Sequence, residues 1–191
     1  MPETPESLRI EEFRALRATI RERGSVRFIV TLITFSAWAA AILTTSVLLP
    51  FTLFCLVPLT VLAVGFETTF ALHIGVERIG RYLHVHYESA HPDAATGQAQ
   101  WERTVSRFRA AGGGVRPLMP ALFIAAGLLN ITLGAANGLD GENGWLADDL
   151  LALAPIAALH AGFLVRVVLA QRFSDTQRER DQHEFERLRA E

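Results

Sequence analysis

The sequence predicts an all-α polytopic membrane protein, a bundle of four transmembrane helices with cytoplasmic helical extensions. Three observations lead there. Residues 28–66 carry no charged side chain, and two further charge-free runs occupy residues 117–139 and 150–165. There is no lysine, so every Lys+Arg position is an arginine, and the arginines gather at both ends and in the middle of the chain. The short stretches that separate the apolar runs pairwise, near residues 47–51 and 137–148, contain no arginine.

A hydrophobic share of 50% would also fit a compact soluble domain, so the arrangement decides. At about 1.5 Å per residue, the first run alone would make a helix of roughly 58 Å, about twice a hydrocarbon core of roughly 30 Å. It must fold back on itself and supply two spans. The net charge of −2 gives no reason to expect nucleic acid as a partner. Cys55, the single cysteine, has no partner for an internal disulfide and suits a small apolar packing position.

Residues 1–25 read as a cytoplasmic amphipathic N-terminal helix. Thr4 before Pro5 fits an N-cap followed by proline in the first turn. Phe13, Leu16 and Ile20 share one face, and Arg9, Arg14, Arg17, Arg21 and Arg23 supply the polar surface. Glu3, Glu6, Glu11 and Glu12 are interspersed with these arginines, unlike a cleavable signal peptide. Gly24-Ser25 is expected to break this helix from the first span. Residues 26–72 hold transmembrane helices 1 and 2, with the hairpin near 47–51 at Leu49-Pro50 and Pro58 inside the second span.

Residues 73–116 form a cytoplasmic helical extension and loop. Nothing in residues 73–88 stops the second helix, so it should project beyond the bilayer until His91-Pro92-Asp93. Trp101, Val105 and Phe108 then recur at helical spacing beside Arg103, Arg107 and Arg109, the pattern of a short surface helix. Gly112, Gly113 and Gly114 make a joint. Residues 117–169 hold transmembrane helices 3 and 4, opened by Pro117 and Pro120 and separated by an outer loop at 137–148. Trp145 in that loop suits an interfacial anchor, and Pro155 lies within the fourth span. The charged tail, residues 170–191, is expected to continue the fourth helix into the cytoplasm.

Arginine placement sets the orientation. The N-terminal arm, the central loop and the tail carry the arginines, whereas the loop between spans three and four carries Asp140, Glu142, Asp148 and Asp149. The positive-inside rule then puts both termini on the cytoplasmic side of a cell membrane. Small residues recur every four positions on three spans: Ser36, Ala40 and Thr44; Ala126, Asn130 and Gly134; Ala154, Ala158 and Gly162. Such stripes are expected to face neighbouring helices, of this chain or of a second copy.

Two sets of polar residues are candidates for function. Glu67 lies some 24 Å from the outer end of its span and Arg166 some 25 Å from the outer end of the fourth, counting about 1.5 Å per residue. Ionisable groups at such depth point to a function and a partner. With His160, Asn130 and Thr68 they suggest an intramembrane site passing a proton or holding an ion. The structural alternative is an ion pair near the inner interface, with Arg166 reaching toward headgroups. The second set is His73, Glu77, His84 and Glu88, which fall within an arc of roughly 60° on one helical face. Two H-x-x-x-E pairs on one stripe would offer imidazole and carboxylate ligands to a transition metal. Glu102, or Asp181, His183 and Glu184, would complete the shell. The alternative is a solvated face with i, i+4 pairs.

Di-iron bundles need Glu-x-x-His on two helices, and only Glu88 to His91 fits, once and beside Pro92. A haem cannot bridge His73 and His160, which differ by roughly 16 Å in depth. No P-loop, dinucleotide fingerprint, nucleophile elbow or haem-attachment motif is present. The expected role is therefore an accessory or scaffold subunit, set in the lipid bilayer and binding a protein partner or itself through its helices. The alternative is a metal- or proton-handling membrane protein using the His73/Glu77/His84/Glu88 stripe or Glu67.

Overall fold

The computed structural model describes residues 5–48, 51–88, 118–139 and 147–191. Among these the chain is all-helical, with no strand. Helix α1 spans Pro5–Leu48, α2 Phe51–Leu83, α3 Leu118–Leu139 and α4 Ala147–Ala190, and a π-helical turn at His84–Glu88 follows α2. Among the described residues four helices are long and apolar enough to cross a membrane. The expected turn at Leu49-Pro50, the surface helix around Trp101 and the outer-loop residues 140–146 lie outside the described residues.

The expected break at Gly24-Ser25 does not occur, because α1 runs through it without interruption. Among the described residues an added Cβ on Gly24 would meet nothing within 4 Å, so no packing demand among them bends the chain there. Ser25 turns its hydroxyl back onto the Arg21 carbonyl, 3.3 Å away, so its side chain is satisfied within the helix. One interior glycine costs only about 1 kcal/mol against alanine, too little to end a helix of this length. The expected continuation of the second span past residue 73 and of the fourth into the tail are both observed. Pro58 and Pro155 are carried inside α2 and α4.

The chain divides into two compact units, to which α1, α2 and α4 each contribute. The first comprises α1 up to Arg27, α2 from Ala71 and α4 from Phe173. The second comprises α1 from Phe28, α2 up to Phe70, α3, and α4 up to Arg172.

The core of the second unit is Leu59, Leu62 and Phe66 of α2, Phe123 and Ala126 of α3, and Phe163, Val167 and Ala170 of α4. Phe66 is its hub, meeting Phe123 edge-on at 5.3 Å and Phe163 at 6.2 Å. Each such pair contributes about 0.5–1.5 kcal/mol beyond area burial. Helix α1 closes on α2 where Gly65 has no side chain, since a Cβ there would stand 2.1 Å from Thr34 Cγ2. Of the three small-residue stripes, Ala126, Asn130 and Gly134 face inward as expected. Ser36, Ala40 and Thr44 on α1, and Ala154, Ala158 and Gly162 on α4, are exposed and belong to no core cluster among the described residues. Periodicity marks a face but not the direction in which it points.

Candidate functional site

The candidate polar residues of the second unit fall into two groups. Asn130 and His160 are each 2% exposed. Asn130 Nδ2 donates to the Cys55 carbonyl at 2.9 Å and lies 2.9 Å from His160 Nε2. Trp38 Nε1 donates to Asn130 Oδ1 at 3.4 Å. His160 Nδ1 lies 2.8 Å from the Ile156 carbonyl. A carbonyl only accepts, so Nδ1 carries the proton and Nε2 accepts from the Asn130 amide. This network joins α1, α2, α3 and α4 at one buried point. Each of its side-chain groups has a partner, which suits it to fixing the register of four helices.

Glu67 and Arg166 behave differently. Arg166 Nη2 donates to Glu67 Oε2 at 2.8 Å, and the side chains are 43% and 49% exposed for Arg166 and Glu67 respectively. The guanidinium also lies over the Phe66 and Phe70 rings, at 6.0 and 5.4 Å from their centroids. Thr68 turns its hydroxyl onto the Val64 carbonyl at 2.8 Å. The sequence pairs Glu67 with Arg166 by depth; that they also share a side of the unit required the rotations of α2 and α4.

In the first unit, arginines and carboxylates of α2 and α4 form a connected network. Arg178 Nη2 donates to both oxygens of Glu77, at 2.8 and 3.1 Å, and Arg81 Nη1 donates to Glu77 Oε2 at 3.3 Å. Arg81 Nη2 reaches Asp181 Oδ2 at 2.7 Å, and Arg78 Nε reaches the same atom at 3.3 Å. Burial pushes the Glu77 carboxyl up, but Arg178, His73 and Arg81 together outweigh it and hold Glu77 below its ordinary 4.5. Asp181 is likewise raised by burial and pulled more strongly down by Arg81, Gln177 and Arg78, ending below its ordinary 3.8.

Helix α1 joins this unit through Glu12. Tyr82 and Tyr87 donate their hydroxyls to its two oxygens, at 2.9 and 2.6 Å. The Tyr87 and Tyr82 hydrogen bonds hold the Glu12 carboxyl down, while burial and the Glu12 contact push both phenols up. Phe13 packs on Tyr87 at 5.3 Å, and Tyr82 meets Phe185 at 5.7 Å. In the π-helical turn, the Val85 carbonyl accepts from Arg189 Nη1 at 3.0 Å. Carbonyls in a final turn lack intrahelical partners, and a C-terminal arginine of α4 supplies one here.

The His73/Glu77/His84/Glu88 stripe is placed on this unit. Arg27 Nη1 lies 2.9 Å from His73 Nδ1, and because a guanidinium only donates, that nitrogen accepts. His73 Nε2 lies 3.7 Å from Glu77 Oε1. Glu77 is thus shared among His73, Arg81 and Arg178. His84 and Glu88 fall in the π-helical turn, which departs from the 100° step on which the common face was reckoned. Among the described residues no three His, Cys, Asp or Glu side chains gather as a metal ion would require. Sequence reading missed Glu12, Tyr82, Tyr87, Trp38, Arg81 and Arg178. Glu77 and Arg81 did carry a signal, an acid four residues before a base.

No protein-family model matches the chain, and neither a curated protein nor a solved structure is significantly similar to it.

Proposed function

We propose that this chain is a four-span protein of the cell membrane, with both ends cytoplasmic, and that it serves as an accessory subunit whose cytoplasmic helices form a platform for a protein partner. The observation that carries the reading is the first unit. The segments flanking the apolar runs gather into a compact body of their own, tied by Glu77, Arg81, Arg178 and Asp181 on two helices and by Glu12 on a third. A chain needing only to cross the bilayer would have no use for such a body. Arginine placement supports its cytoplasmic side. The buried Asn130–His160 network supports the spans as a rigid base.

The test is cross-linking in native membranes followed by mass spectrometry, comparing wild type with an Arg81→Ala/Arg178→Ala variant. A defined partner at near-stoichiometric yield, lost in the variant while the chain stays in the membrane, supports the platform. Identical cross-link sets, or none in either, would refute it. Metal analysis of the purified chain tests the competing reading. Near-stoichiometric metal that disappears in a His73→Ala/His84→Ala variant would move the function to the histidine stripe.

A further inference from the structure

We infer that the outward face of α4, edged by the Glu67–Arg166 ion pair, is the seam on which a second copy of this chain docks. The inference rests on the membrane reading above and names one partner within it.

The ion pair is the starting point. Both side chains are roughly half exposed on the surface of the second unit. On α2, Glu67 is the residue that ends the charge-free run, some 24 Å from the start of its expected span at about 1.5 Å per residue. Ionisable groups within spans almost always face a protein interior or a polar cavity, because lipid solvates charge poorly. Here the chain's own helices leave the pair half uncovered. A neighbouring protein surface would complete its surroundings.

The shape of the face is the second element. The inward side of α4 carries Ile156, His160, Phe163, Val167 and Ala170. Opposite, at four-residue steps, stand Ala154, Ala158 and Gly162, all exposed, and the next step is Arg166. Among the described residues a Cβ on Gly162 would meet nothing within 4 Å, so its smallness serves no contact there. Against lipid a leucine would serve equally well. Small residues gain their value when another backbone approaches closely.

Charge selects the occupant. The face presents one carboxylate and one guanidinium side by side, so it complements itself under a twofold axis along the membrane normal. Arg166 of each copy can reach the partner's Glu67, as an isologous interface requires. The other exposed stripe, Ser36, Ala40 and Thr44 on α1, has no ionisable residue beside it in residues 28–48 and provides the control surface.

The test uses the full chain in mild detergent and in native membranes. Light scattering should give a polypeptide mass twice the 21.0 kDa of the chain. Gly162→Leu should raise the dimer dissociation constant at least about tenfold, roughly 1.4 kcal/mol, while leaving the thermal midpoint of the monomer unchanged. In membranes, Ala158→Cys should oxidise to a cross-linked dimer. Ala40→Cys should not, and neither should wild type, whose Cys55 is buried. A single-chain mass for wild type, a dimer indifferent to Gly162→Leu, or cross-linking through Ala40→Cys in place of Ala158→Cys would each overturn the seam. A monomer that still captures its cytoplasmic partner overturns the seam alone. A Gly162-dependent dimer without such a partner supports the seam and refutes the platform.

Discussion

Asn130 Nδ2 lies 2.9 Å from His160 Nε2, in a contact that shares its amide with the Cys55 carbonyl and, through Oδ1, with Trp38. Truncating one member takes a partner from each group it bonded, and a buried group left unpaired costs about 1–3 kcal/mol. Asn130→Leu should therefore destabilise the second unit more than His160→Leu. Asn130 bonds three groups on other helices, whereas His160 bonds one, its other contact being the Ile156 carbonyl of its own helix. The double variant should cost less than the sum of the singles, and unfolding in mixed detergent micelles would measure all three. Strict additivity would show that the two side chains are not coupled.

The contact between α1 and α2 depends on Gly65. Gly65→Ala would put a Cβ 2.1 Å from Thr34 Cγ2 and 2.7 Å from Thr34 Cβ. Overpacking of this kind costs about 1–3 kcal/mol, and the same unfolding assay should show it. Adding Thr34→Ala should recover only part of the loss, because the Thr34 Cβ itself remains too close. Full recovery would mean that α1 shifts freely over α2, contrary to the close packing seen here.

Much of this architecture could be read from composition and periodicity alone. Charge-free runs and arginine placement marked four helices, and the absence of a stop signal after residue 73 marked the long extension of α2. The failures share one cause. A sequence records which residues lie on one face of a helix but not how that helix is rotated in the bundle. Hence Ala126, Asn130 and Gly134 were indistinguishable from Ala154, Ala158 and Gly162 until burial separated them. Likewise His160 and Arg166 share α4, yet one is 2% exposed and the other 43%. The Gly24-Ser25 break failed differently, since local propensity was weaker than the continuity of the surrounding helix.

Acid should loosen the first unit through Glu77 and Asp181. Both carboxyls are held below their ordinary values of 4.5 and 3.8. A depressed folded value means the unfolded chain takes up protons first as pH falls. The stabilisation is complete above the ordinary values and is lost progressively below them, as pH passes through the folded values. Hydrogen exchange across residues 173–190 should therefore stay slow from neutral pH to about pH 5 and accelerate toward about pH 3 once corrected for intrinsic rates. The Glu77→Gln/Asp181→Asn variant should exchange faster at neutral pH and show a flatter profile. Loosening already complete near about pH 6, where both carboxyls are ionised, would assign the effect to another group.

Thr69 offers a test in the opposite direction. Thr34, Thr45, Thr60 and Thr68 each bond the carbonyl four residues back, at 2.7–2.9 Å. Thr69 is fully buried, yet its hydroxyl has no partner among the described residues. An unpaired buried hydroxyl costs about 1–3 kcal/mol, and a same-shape apolar replacement removes that cost. Thr69→Val should thus raise stability by about 1 kcal/mol or more, whereas Thr69→Ser, which keeps the hydroxyl and loses a methyl, should lower it. Thermal unfolding in detergent would separate the two. If Thr69→Val proved destabilising, the hydroxyl must be satisfied in the folded protein, and a water or a polar group of another chain would have to be sought beside it.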